Sequence, residues 1–91
     1  MAYHLWKVGD PSTGDSGGMS MTLWVEDDKV RTENDARPQV GKVIRVGSVY
    51  ARSHQHQDWW QTSEIKEILE ESQDSVKFLT NSGSTYVWEI K

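Results

Sequence analysis

Apolar residues in this chain never run long. They fall into short, often alternating stretches, each closed by a cluster of Gly, Pro, Asp, Asn or Ser. Tyr3, Leu5 and Lys7 alternate with His4, Trp6 and Val8, and Val43 and Arg45 alternate with Ile44, which is the period of a strand. That patterning restricts the chain to small β-rich folds, and 91 residues make a single domain, 1–91. The chain has no cysteine, so no disulfide or thiolate-bound metal reinforces the core. Packing must supply the stability, and the five tryptophans are the obvious means. Burying one removes roughly 150–250 Å² from water, an upper limit of about 4–6 kcal/mol at ~25 cal/mol per Å².

Strands are expected at residues 2–8, 20–26, 40–50, 75–80 and 84–90, with a short continuation at 29–32 after an Asp27-Asp28 turn. Residues 9–18 hold four glycines and a proline and read as a long flexible hairpin loop. Residues 33–39 connect, Gly41 and Gly47 mark bulges or bends, and 51–57 is a loop or irregular edge. Asn81-Ser82-Gly83 is a hairpin turn. Residues 59–72 admit two readings. Ile65, Ile68 and Leu69 have helical spacing, with Thr62 or Ser63 as a cap. Two adjacent tryptophans running into Gln-Thr-Ser suit a strand instead, giving a meander from 62 to 90. The meander is favoured. The expected class is mostly β, a small SH3-like or OB-like barrel or meander of five to six strands. The alternative is α+β, with a helix at about 62–72 followed by a hairpin.

Trp60-Gln61-Thr62-Ser63-Glu64-Ile65, Val76-Lys77-Phe78-Leu79-Thr80-Asn81-Ser82 and Tyr86-Val87-Trp88 together resemble the endings of short, uncharacterised bacterial and phage proteins. The resemblance spans the last third of the chain. It implies a compact β-meander or small barrel and no particular activity.

Charge is distributed unevenly. In a chain of net charge −4, residues 37–57 hold Arg37, Lys42, Arg45 and Arg52 and no carboxylate, together with Tyr50, His54 and His56. Residues 58–74 then carry six acids against one lysine. A basic, aromatic segment of this kind suits an anionic ligand, although the net charge argues against indiscriminate duplex binding. Self-pairing of these cations with Glu64, Glu67, Glu70 and Glu71 is the competing explanation. At Trp59-Trp60, strand geometry sends one ring inward and one outward for stacking, unless a curved sheet buries both.

Two motifs tempt and are set aside. Gly14-Asp15-Ser16-Gly17-Gly18 is similar to the nucleophile loop of chymotrypsin-like proteases, but the chain is far too short for that two-barrel fold. His54-Gln55-His56-Gln57-Asp58 is similar to part of the metallo-β-lactamase metal motif, but Trp59 stands where a further histidine is required. No nucleophile, base and orienting group recur together, and no cofactor motif is present, so a non-enzymatic binding module is expected.

The expected site comprises Lys42, Arg45, Tyr50, Arg52, His54, His56, Trp59 and Trp60. The arginines would hold the anion, the aromatics would stack, and the histidines would tune affinity near neutral pH. The ligand would be a nucleotide, a signalling dinucleotide or single-stranded nucleic acid. The alternative is a protein–protein interaction module, such as a phage or bacterial inhibitor docking on a larger partner through its acidic face or an exposed tryptophan. With no long apolar stretch and no signal-like N-terminus, a cytoplasmic protein without membrane contact is expected. A homodimer that covers unpaired strand edges fits the same pattern.

Overall fold

A computed structural model describes residues 3–47 and 59–90, and at 11–17 and 59 it describes the backbone alone. The chain is mostly β. The described residues form eight strands: β1 (Tyr3–Lys7), β2 (Asp10–Glu26), β3 (Lys29–Asn34), β4 (Val43–Gly47), β5 (Trp59–Gln61), β6 (Ile65–Glu71), β7 (Ser75–Thr80) and β8 (Thr85–Ile90). All pairings are antiparallel, in the order β5-β4-β2-β1-β8-β7-β6, with β3 also paired to β2. The sheet is open, and it contains eight strands where the sequence suggested five or six. No helix occurs among the described residues, which removes the helical alternative at 62–72 and leaves a β6-β7-β8 meander.

The helical spacing in β6 has a structural explanation. Ladder partners Ile65↔Thr80 and Ile68↔Phe78 both face the core, although residues three apart on a regular strand point to opposite sides. A register shift between Ile65 and Glu67 inserts one residue, Lys66, and brings Ile68 back to the inner face. A second shift, between Ile68 and Glu70, turns Leu69 outward, where it is exposed.

β2 organises the rest. Its first half pairs with β1, from Lys7↔Asp10 to Tyr3↔Gly18. Its second half pairs with β3 and β4. Residues 10–18 are therefore strand, not the expected loop. β1 buries Tyr3 and Leu5 and needs hydrogen-bond partners on both edges, so pairing overrides the weak local propensity of the glycines. Val8 and Gly9 make the turn, with Gly9 at φ +87°. At Asp27-Asp28 both residues have positive φ, 53° and 61°, the signature of a type I′ hairpin between Glu26 and Lys29.

β2 changes layers at Gly18, and there it touches the end of β4. A Cβ on Gly18 would lie 2.2 Å from the Cα of Gly47, which itself has φ +132°. Only glycine permits that crossing. The two inner faces then pack Tyr3, Leu5, Ile44, Val46, Ile65, Val76, Phe78, Tyr86 and Trp88 into one core. Trp88 is fully buried and donates its indole N–H to Ser20 Oγ across the layers, at 3.0 Å. Ser20 in turn donates to the Ala36 carbonyl at 3.2 Å. Trp6, Trp24 and Trp60 contribute less than their size suggested. Trp60 packs against the core while half exposed; Trp6 lies against His4 and Trp24 under Lys42. At the far end, Gly41 N–H and Ile65 N–H bond to the carbonyls of Ile65 and Lys42, bringing the start of β6 beside β4.

Candidate functional site

The alternation of β4 decides which basic residues share a surface. Ile44 and Val46 enter the core, so Arg45 and Val43 face away from it. Lys42 precedes β4 with the parity of Ile44, and its ammonium lies 4.0 Å from the Trp24 ring centroid, a cation–π contact. Lys42 and Arg45 thus lie on opposite sides of one strand and do not converge.

Arg45 stands on the outer face between two ladder partners, Met21 on β2 and Gln61 on β5. Its Nε and Nη2 donate to the Gln61 amide oxygen at 3.0 and 2.7 Å. Gln61 is neutral, and its two bonds orient the guanidinium. Partial burial pulls the Arg45 pKa down from its usual range, yet an arginine remains protonated at neutral pH. Leu23↔Val43 and Met19↔Gly47 extend the same face, making an apolar surround for the one cation on β4. Sequence reasoning missed Gln61, because a neutral amide becomes recognisable only once it lies across a ladder from an arginine.

Trp60 pairs with Val46 and turns towards the core, and its indole N–H is buried and meets no acceptor among the described residues. Trp59 pairs with Gly47 through its backbone, the part of it that is described. Tyr50, Arg52, His54 and His56 lie outside the described residues, within the segment 48–58 that connects the paired ends of β4 and β5. The His54, His56 and Asp58 motif lies there too. No cluster of three or more metal-ligating side chains occurs among the described residues.

Arg37, the first cation of the basic segment, is occupied otherwise. Its Nη1 donates to the Gln73 carbonyl at 2.7 Å, and its Nη2 donates to the carbonyls of Ser72 and Ser75. Its Nε lies 3.2 Å from Glu71 Oε2, and the guanidinium covers Trp88 at 5.6 Å from the ring centroid. Arg37 therefore fastens the connection between β3 and β4 to the β6–β7 turn. Self-pairing between the basic and acidic segments is present here, while Glu64 Oε1 accepts from Asn81 instead.

Beside this clasp is a cleft of about 450 Å³ lined by Tyr3, Asp35, Arg37, Trp88 and Ile90. The Tyr3 hydroxyl donates to Asp35 Oδ1 at 3.2 Å. Burial, then that bond and the Asp35 charge, push the phenol above its ordinary pKa of 10.0. The polar groups of the cleft are engaged with one another and with backbone carbonyls, so its chemistry is mainly structural.

The Gly14–Gly18 motif lies on extended backbone paired to β1, with Ser16 opposite His4 in the ladder. Alternate N–H groups of a strand point to opposite edges, unlike the converging pair that forms an oxyanion hole. No helix among the described residues is long and apolar enough to cross a membrane. Comparison with models of known protein families, with curated proteins and with solved structures found no match.

Proposed function

We propose that this chain is a non-catalytic binding module that captures an anionic ligand on the outer face of β2, β4 and β5, with Arg45 as its charge-bearing contact. One observation carries the reading: a partly desolvated guanidinium is held in fixed orientation by a neutral amide. A cation already stripped of some water gains more from an incoming anion than a fully hydrated one, and arginine's planar fork suits phosphate or carboxylate oxygens. The apolar neighbours Met19, Leu23 and Val43 favour a ligand with a flat or apolar body, such as a nucleotide, a signalling dinucleotide or single-stranded nucleic acid. Arg52, His54 and His56 follow within eleven residues of Arg45 in the sequence and supply further cationic character. Lys42 and Arg37 are not part of the site.

The test is an amide NMR titration of labelled protein with nucleotides and short oligonucleotides, at low and high salt. Salt-sensitive shifts at Met21, Arg45 and Gln61, lost in Arg45→Ala, are the expected result. Equal binding by the Arg45→Ala protein rules the reading out. A second reading is favoured by the exposure of Val25 and Val30, 71% and 69%, on the continuation of the same face. In that reading the occupant is a protein partner that inserts an acidic side chain beside apolar contacts. Salt-insensitive binding lost in Val25→Ser or Val30→Ser identifies it.

A further inference from the structure

The geometry points to a symmetric dimer in which β3 of one chain pairs antiparallel with β3 of a second copy, centred on Thr32. Among the described residues, three strands end the sheet: β3, β5 and β6. β5 has three residues. β6 is interrupted by two register shifts and carries Glu67, Glu70 and Glu71, so a second β6 would be repelled. β3 is six residues long, paired to β2 without a shift, and exposed at every position. It has none of the devices that normally protect an edge except its charges, and those are of both signs.

The hairpin dictates which groups of β3 face outward. A two-residue type I′ turn makes Glu26↔Lys29 a hydrogen-bonded pair, so Trp24↔Arg31 and Thr22↔Glu33 are hydrogen-bonded pairs as well. The backbone N–H and C=O groups of Lys29, Arg31 and Glu33 therefore point at β2. Those of Val30, Thr32 and Asn34 point away from β2.

A second β3 must bond through the same outward residues, which leaves few symmetric registers. Centring on Arg31 or Glu33 sets like charges directly opposite each other. Centring on Val30 sets Lys29 against Arg31. Centring on Thr32 pairs Thr32 with its own copy and Val30 with Asn34, and it places Arg31 opposite Glu33 twice. Those two pairs fall at non-hydrogen-bonded positions, where side chains approach most closely. Among the described residues, neither Arg31 nor Glu33 has an ion-pair partner within the chain. This inference does not depend on the anion site, which lies across β2 from β3.

Sedimentation velocity on the full chain, from micromolar to millimolar concentration, tests it. The wild type is expected to dimerise reversibly. Thr32→Pro removes an outward N–H and leaves the β2 ladder intact, so it is expected to be folded and monomeric. Glu33→Arg puts two arginine pairs in contact and is expected to weaken association about tenfold or more, while the Arg31→Glu/Glu33→Arg double variant restores it. If the proline variant fails to fold, the charge series decides alone. A wild type that stays monomeric at millimolar concentration overturns the proposal. So does a dimer indifferent to Glu33→Arg, or a double variant no better than the single one.

Discussion

Arg37 and Arg45 belong to one basic segment and are eight residues apart, yet they have opposite fates. Arg37 spends its donors on three carbonyls of the β6–β7 turn, faces Glu71 and lies over Trp88. Arg45 meets a neutral glutamine on the outer face. Net charge and residue type do not separate the two. Their partners do: carbonyls and a carboxylate make Arg37 a fastener, whereas the Gln61 amide orients the Arg45 guanidinium on the outer face.

The contrast can be broken most severely at Gly18. The Gly18→Ala side chain would collide with the backbone of Gly47, so β2 and β4 must separate and the Arg45 face is lost with them. The expected cost is about 3 kcal/mol or more in urea unfolding, from strain of the kind that overpacking produces. Arg37→Ala comes next. It leaves the turn carbonyls and Glu71 without their cation, and a loss of about 2–3 kcal/mol is expected, read as a lower urea midpoint with unchanged slope.

The Tyr3–Asp35 pair adds a pH signature beside the clasp. The folded-state pKa of Tyr3 is raised, so at alkaline pH the folded chain holds more protons than the unfolded one. Its contribution is complete below pH 10.0 and is lost as pH rises through the higher folded value. Thermal unfolding across that range is expected to show the alkaline decline in the wild type and a shallower one in Tyr3→Phe, which itself costs about 1 kcal/mol at neutral pH.

Thr22 offers a smaller effect of opposite sign. It sits across the ladder from Ile44, fully buried, and its hydroxyl has no partner among the described residues. Thr22→Val keeps the shape, removes the orphan, and is expected to stabilise the fold by about 1 kcal/mol in the same urea assay. Arg45→Ala has the smallest expected effect on stability, within about 0.5 kcal/mol, because its bonds to Gln61 are exposed. Its expected effect is on the proposed anion binding, and that divergence from Arg37→Ala is the sharpest form of the comparison.

Much of the architecture is legible in the sequence. Tyr3–Lys7, Ser75–Thr80 and Thr85–Ile90 are strands where alternation required them. Asp27-Asp28 turns as expected, and Gly83 takes positive φ while its N–H reaches the Thr80 carbonyl. The errors share a cause. Residues 10–18 look like a loop because glycine lowers strand propensity, but the unpaired edge of β1 recruits them. Ile65 and Ile68 look helical because a bulge at Lys66 gives a strand the spacing of a helix turn. At the proposed site, the sequence singles out the basic segment that contains Arg45. It could not show that Lys42 faces the other way, that Trp60 turns inward, or that Gln61 is the partner.

Local chemistry alone therefore determined the class of fold, its hairpins and the position of its charge, since alternation and turn residues act over a few neighbours. Tertiary structure decided the layer change at Gly18, the bulges of β6, and which arginine fastens the β6–β7 turn and which stands on the outer face. Those outcomes depend on ladders that join residues far apart in the chain, and the register of such a ladder is set by the packing of both its strands.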